Sequence, residues 1–121
     1  MLFALTALIV SLVAGPAADV TGKWDGTLEA QRPDGTTHED TVLLILTQKD
    51  NAISGSVGEA DHDQHPIVSG TVDGSKVTIL VKNVNNGREY KLDLVVDGDE
   101  MKGKISYGER TGTLAVKKRK Q

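Results

Sequence analysis

The chain has 121 residues and a net charge of −3, which suits one domain. It contains no cysteine, so a disulfide framework, a thiolate metal site and a cysteine nucleophile are all excluded. All 17 acidic residues precede Thr111, and this acidic body argues against binding to nucleic acid, which requires a basic face.

The N-terminal segment is expected to be a cleaved signal peptide spanning residues 1–17. The stretch from Leu2 to Val13 is almost wholly apolar and too short to cross a bilayer. The small residues of Gly15-Pro16-Ala17 follow, as at a cleavage site. The usual basic start is missing, because no Lys or Arg precedes Lys23. The sequence therefore predicts an exported protein, periplasmic or secreted, with one mature domain over residues 18–121.

Eight β-strands are predicted in the mature chain. Turn signals of the Asp-Gly and Asn-Gly type divide it at short intervals, and these dipeptides supply the positive φ of tight hairpins. The segments between them alternate apolar and polar residues with period two, and no helical stripe appears. The predicted strands are 22–31, 39–49, 52–59, 66–73, 76–84, 88–97, 100–107 and 110–119.

One face of every predicted strand is aliphatic and is expected to point into a core. A repeated form, polar–Gly–polar–aliphatic, places a glycine on that face in five strands. Because glycine inside a strand usually marks a bend, and a barrel needs bends to close, the pattern predicts an all-β fold. We expect a single closed antiparallel up-and-down barrel of about eight strands. The predicted inward residues are Trp24, Gly26, Leu28, Val42, Leu44, Leu46, Ile53, Gly55, Val57, Val68, Gly70, Val72, Val77, Ile79, Val81, Tyr90, Leu92, Leu94, Val96, Met101, Gly103, Ile105, Tyr107, Gly112, Leu114 and Val116.

The tripeptide Gly22-Lys23-Trp24 opens the first predicted strand. A Gly-x-Trp at this place, followed by seven hairpin-connected strands, resembles the calycin group, which includes lipocalins, avidins and small bacterial metalloprotease inhibitors. The resemblance implies that Trp24 closes one barrel end and is covered by an arginine of the last strand, and pairing of the last strand with the first would bring Lys118 or Arg119 near it. Inward parity favours Lys118 for that place, and residue type favours Arg119. Lipocalins are longer, avidins use several tryptophans and the inhibitors use a disulfide, so the resemblance implies a fold and no particular ligand.

The interior of the predicted barrel bears on function. Eight strands enclose a space that is either filled by side chains or holds one small ligand. Because the inward residues are nearly all aliphatic, such a ligand should be apolar, with Trp24, Tyr90, Met101 and Tyr107 as candidate contacts. The leading interpretation is a non-enzymatic binding module without a cofactor. The alternative is a protein-interaction or inhibitor-like barrel with a filled core. A pocket open at one end favours the first, and a solid interior favours the second.

The loop between the third and fourth predicted strands carries the residues best suited to chemistry. His62, His65, Asp61 and Asp63 offer imidazole and carboxylate groups that a divalent metal ion could use, with His38 as a further nitrogen. The alternative is a solvated polar loop. Nucleophilic catalysis has little support, because the sequence has no Gly-x-Ser-x-Gly elbow.

Two surface features suggest partners. The basic tail, Lys117, Lys118, Arg119 and Lys120, could make a weak contact with an anionic surface, or it could be a solvated strand end. The segment from Thr41 to Thr47 is apolar on both faces, so Leu43 and Ile45 are expected to point out of the barrel. An apolar run of this kind predicts either a homodimer contact or a tendency to aggregate.

Overall fold

The computed structural model describes residues 19–32 and 34–119, so the predicted signal peptide lies outside the described residues. All eight predicted strands are present, and the largest difference is at the fourth, which begins three residues earlier than predicted. The strands are β1 (Gly22–Gln31), β2 (Thr37–Lys49), β3 (Ala52–Ala60), β4 (Asp63–Asp73), β5 (Lys76–Lys82), β6 (Glu89–Asp97), β7 (Glu100–Tyr107) and β8 (Arg110–Lys118).

The strands form one closed barrel in which each pairs antiparallel with the strands before and after it in sequence. The first and last strands complete the circle, with Trp24 opposite Lys118 and Ala30 opposite Gly112. Closure leaves no unpaired strand edge. The predicted all-β, closed, up-and-down architecture is confirmed. In the described part of the chain, no helix is long and apolar enough to cross a membrane.

Alternation of side chains decides which residues enter the core. In β6, Leu92, Leu94 and Val96 are at most 7% exposed, whereas Val95 between them is 52% exposed. This is the period-two pattern of a strand with one face on the core and one in water. The buried core consists of Val20, Trp24, Val42, Leu44, Leu46, Ile53, Val57, Val72, Val77, Ile79, Val81, Leu92, Leu94, Val96, Met101, Leu114 and Val116.

The prediction for Val68 is wrong. A register shift in the β4–β5 ladder lies between Ile67 and Ser69. A bulge of this kind adds a residue to one strand and changes which side chains face inward beyond it. Ile67 therefore packs against the core, and Val68 is 53% exposed.

Inward glycines lie where neighbouring backbones approach too closely for a side chain. A Cβ on Gly26 would overlap the carbonyl oxygen of Ala115 in β8, and one on Gly103 would overlap that of Asp93 in β6. Neither glycine has a positive φ, so the requirement is space rather than an unusual backbone conformation. The predicted association of these glycines with barrel closure agrees with this geometry.

The two ends of the barrel differ. The closed end carries the turns at 50–51, 74–75 and 98–99, and residues 19–21 precede β1 there. Val20 and Trp24 are fully buried at this end, and the indole Nε1 donates to the carbonyl oxygen of Val20 at 3.0 Å. The Val20 amide donates to Gln48 Oε1 at 2.9 Å. The open end carries the connections from β1 to β2, β3 to β4, β5 to β6 and β7 to β8.

The basic residue that covers Trp24 is Lys118. Its Nζ lies 5.8 Å from the centroid of the Trp24 ring, within the range of a cation–π contact. Arg119 instead makes two hydrogen bonds to Asp25, at 2.7 and 2.8 Å. Strand parity therefore decides between the two alternatives, because Lys118 is directly opposite Trp24 in the β1–β8 ladder.

Candidate functional site

The open end of the barrel is concave. Two adjoining pockets, of about 280 and 330 Å³, share Leu28, Tyr90 and Ile105 in their walls. These three residues are only half-buried, although each packs partly against the core. Ligand pockets commonly measure about 300–1,000 Å³, so this space suits a small molecule.

The pocket on the β2–β6 side has an apolar floor and an acidic rim, and we call it the acidic pocket. Its floor includes Val42, Val57, Val81 and Leu92, which belong to the buried core. Its rim includes Asp40, Glu59, Asp63, His65, Asn83 and Asn85.

The pocket on the β7–β8 side carries the arginines, and we call it the basic pocket. Arg32, Arg88 and Arg110 line it together with His38 and Tyr107. Arg32 directly follows β1, Arg88 directly precedes β6 and Arg110 begins β8. The three guanidinium groups therefore come from three different turns of the same barrel end.

Two tyrosines form an aromatic pair in the wall of the basic pocket. The ring centroids of Tyr90 and Tyr107 are 5.3 Å apart, with the planes tilted by 37°. The guanidinium carbon of Arg88 lies 4.9 Å from the Tyr107 centroid, a cation–π distance. The predicted ligand contacts Tyr90 and Tyr107 are thus brought together at the opening.

The other two predicted ligand contacts lie elsewhere. Trp24 and Met101 are both 0% exposed and belong to the packed core, so they line neither pocket. Both residues lie near the start of their strands, which is at the closed end, and there the carbonyl oxygen of Val20 accepts the hydrogen bond of the indole. Inward direction alone did not separate residues of the open end from those of the closed end.

The two histidines that line the pockets, His38 and His65, each bridge neighbouring groups. His38 Nε2 lies 2.8 Å from Asp40 Oδ2, and its Nδ1 lies 2.8 Å from an Arg32 guanidinium nitrogen. His65 Nε2 lies 3.5 Å from Asp63 Oδ1, and the Val84 amide donates to His65 Nδ1 at 3.3 Å. Both rings are therefore held by partners within the protein.

The predicted metal residues do not converge. Asp63 and His65 lie on the acidic rim, whereas His62 is exposed and Asp61 turns toward Lys23, with 3.0 Å between Asp61 Oδ1 and Lys23 Nζ. Among residues 19–32 and 34–119, no group of three or more His, Asp or Glu side chains is arranged to hold a metal ion. Asp63 and His65 thus line the acidic pocket, whereas Asp61 forms an ion pair with Lys23.

The tip of the β3–β4 hairpin, residues 60–63, folds back over the outside of β2. Asp61 reaches Lys23 on β1, two strands away, and Gln64 Nε2 donates to the carbonyl oxygens of Leu43 and Ala60 at 3.3 and 2.9 Å. Leu43 is only 2% exposed although it lies outside the core cluster. The expectation that Leu43 presents an open apolar surface to a second copy is wrong, because its side chain is already buried within the single chain.

Charged groups around this tip are arranged as a small network. The hydrogen bond from Lys23 lowers the pKa of the Asp61 carboxyl, and the hydrogen bonds to Asp25 raise the pKa of the Arg119 guanidinium. Arg119 also lies 3.9 Å from Asp61. Lys117 pairs with Glu100 at 3.9 Å. In the described part of the predicted basic tail, each cation therefore already has a partner within the chain, and Lys120 lies outside the described residues.

Arg32, Arg88 and Arg110 were not among the predicted site residues. A signal was present, because in an up-and-down barrel every second turn lies at the same end, and all three arginines flank such alternate turns. Charged residues that flank alternate turns therefore lie at the same barrel end, and this rule places the three arginines together.

Comparison with solved structures finds a likeness to a mutant of the fluorescent protein UnaG. The TM-score is 0.51, the sequence identity is 13%, and the match covers 84% of this chain and 97% of that one. No family model matches the sequence, and the comparison with curated proteins finds no match. The likeness shows a shared fold, the closed barrel.

Proposed function

We propose that this protein is an exported binding module that holds one small, largely apolar ligand in the open end of its barrel. The observation that carries the proposal is the contrast between the ends. The closed end is filled by Trp24 and Val20, whereas the open end leaves a cavity above core side chains. An apolar surface exposed in a concave site is stabilised by covering it with an apolar ligand.

The proposed mode of action is binding rather than catalysis. The cavity floor consists of aliphatic side chains such as Val42, Val57 and Leu92, which offer neither a nucleophile nor an acid–base group. The histidines on the rim are engaged with Asp40 and Asp63. These features support a receptacle with a polar rim.

A neutral fluorescent probe tests occupancy of the cavity. N-phenyl-1-naphthylamine should gain fluorescence with the purified mature protein and lose it when Ile105, a wall residue shared by both pockets, is replaced by Trp. Val95→Trp adds the same bulk on the outer wall, where Val95 is 52% exposed, and should leave probe binding unchanged. Equal probe binding by the two variants would contradict the proposed site.

Export is a separate part of the proposal and has its own test. The uncharged start and the small residues before Ala18 support cleavage after residue 17. The mature protein recovered from the cell exterior or periplasm should begin at Ala18 or Asp19. Intact Met1 on cytoplasmic protein would contradict export and leave the binding proposal standing.

A further inference from the structure

The arginines and the carboxylates at the open end of the barrel differ in their partners. Within residues 19–32 and 34–119, no carboxylate oxygen lies within 4.0 Å of the guanidinium nitrogens of Arg32, Arg88 or Arg110. On the acidic rim, by contrast, Asp40 and Asp63 each have a histidine partner. The carboxylates Asp40, Glu59 and Asp63 line the acidic pocket, and no carboxylate of the described residues lines the basic pocket, so the unmatched charge of the basic pocket is positive.

The arginines keep donors available. Arg88 contacts the face of Tyr107, and Arg32 contacts the ring of His38. A guanidinium group has five N–H donors in a planar fork, and this fork matches the two oxygens of a carboxylate or similar anion. Neither contact engages all five N–H donors of its guanidinium group, so the basic pocket can still bind an anionic group.

The described interior of the barrel has no polar or charged side chain that could pair with a charged ligand group. Among the described residues no polar or charged side chain is buried, and the floor beneath the rim is formed by aliphatic residues including Leu92 and Val81. Burial of an unpaired carboxylate is strongly unfavourable. A charged head must therefore stay at the rim while the apolar part points inward.

We propose that the ligand is a monoanionic amphiphile that binds with its head outward, at Arg32, Arg88 and Arg110, and its apolar part inward against Leu28 and Ile105. This inference rests on the proposed function and adds to it the sign of the head group and the orientation of the ligand. Electrostatic attraction by the three arginines also favours capture of such an anion from solution.

Three probes that differ only in the head group test the sign. Isothermal titration at neutral pH compares octanoate, octan-1-ol and octylammonium. We expect octanoate to bind about tenfold tighter than octan-1-ol, the gain from charge-assisted hydrogen bonds at a partly exposed site, and octylammonium to bind weakest. Added salt should reduce the preference for octanoate.

Paired variants assign the preference to the arginines. Arg88→Gln combined with Arg110→Gln should weaken octanoate binding more than octan-1-ol binding and so reduce the preference for octanoate. Lys76→Gln combined with Lys104→Gln removes the same charge from exposed positions in β5 and β7 and should keep the preference. Thermal melts verify that both double variants are folded.

Orientation has a separate measurement. In NMR spectra of the octanoate complex, the terminal methyl of the ligand should show nuclear Overhauser contacts to the methyl groups of Leu28 and Ile105. Such contacts from the ligand's C2 protons instead would overturn the head-outward arrangement.

The outcomes separate the two proposals. Equal affinity for octanoate and octan-1-ol, or a preference that is undiminished in the double arginine variant, would overturn the anionic head and leave the cavity as a binding site. A preference for octylammonium would also overturn it, by assigning the head to the acidic rim. Failure of all three probes and of the neutral fluorescent probe would overturn the proposed function itself.

Discussion

The two ends of this barrel are built from the same alternating strands yet differ in packing. At the closed end, Trp24 and Val20 are fully buried, and the indole is covered from the last strand by Lys118. At the open end, Leu28, Tyr90 and Ile105 remain half-buried around a cavity. One large aromatic residue and a three-residue lead-in segment are enough to fill one end. We therefore expect the closed end to contribute more to the free energy of unfolding, and the open end to hold the proposed ligand.

The largest expected effect comes from removing the closed-end plug. Trp24→Ala should lower the free energy of unfolding by about 3–5 kcal/mol, because it leaves a cavity in a fully packed region. Chemical denaturation of the mature protein measures the loss. Tyr90→Ala is the open-end counterpart, and its loss should be much smaller because that ring is already half-exposed. Similar losses at both positions would remove the distinction between the ends.

A pair of identical substitutions makes the same comparison with less perturbation. Leu46, near the closed end, is 2% exposed, and Leu46→Ala should cost about 2–5 kcal/mol. Leu28, in the cavity wall, should cost about 1 kcal/mol when replaced by Ala, because less apolar surface is lost from the core. Denaturant midpoints of the two variants give the answer directly. A larger cost at Leu28 would mean that the open end is as tightly packed as the closed one.

Replacing an inward glycine tests the close approach of strands. Gly103→Val should destabilise by about 1–3 kcal/mol through overpacking, although valine is the better strand former. The added Cβ would overlap the backbone of β6. Ser106→Val, at an outward position of the same strand, is the control and should be neutral or stabilising. The idea fails if Gly103→Val matches the wild type in a chemical melt.

The smallest expected effect is at the hairpin tip on the outer wall. Because the hydrogen bond from Lys23 lowers the pKa of Asp61 below its usual 3.8, the ionised carboxylate stabilises the fold above that value. The stabilisation is lost as the pH falls through the lowered pKa. Asp61→Asn should therefore lower the melting temperature slightly at neutral pH and make no difference in strong acid. Asp73→Asn makes the same change at an exposed position at the end of β4 and is the control.

Strand number, strand order and closure could be predicted from the sequence, because turn dipeptides and period-two alternation are local signals. The inward direction of Val68 could not, because a bulge in the β4–β5 ladder changes the parity and leaves no clear local mark. Leu43 was predicted correctly as outward and incorrectly as open. Its side chain is buried in the folded chain, and the path of the hairpin tip toward Lys23, seen in the Asp61–Lys23 ion pair, is not a local property of the sequence.

In the candidate site, too, the sequence could predict the position of some residues and not of others. Tyr90 and Tyr107 could be predicted because both lie on inward faces of adjacent strands, and they pack 5.3 Å apart. Trp24 and Met101 share that inward direction, but depth along the barrel axis separates them from the opening. The arginines of the basic pocket lie far apart in sequence, and their convergence depends on which turns share an end.

Pairing of β1 with β8 also has a consequence for how the chain reaches this structure. Residues almost the whole domain apart must meet, and the Arg119 amide donates to the carbonyl oxygen of Lys23 at 2.7 Å. A nascent chain emerging in order therefore has seven strands and two bare edges until β8 is released. Contacts of such long sequence separation slow the final step of folding. Conversely, the start of β1 and the end of β8, which lie side by side, could be joined by a short linker, and new ends could be opened in an exposed turn without altering the ring of strands.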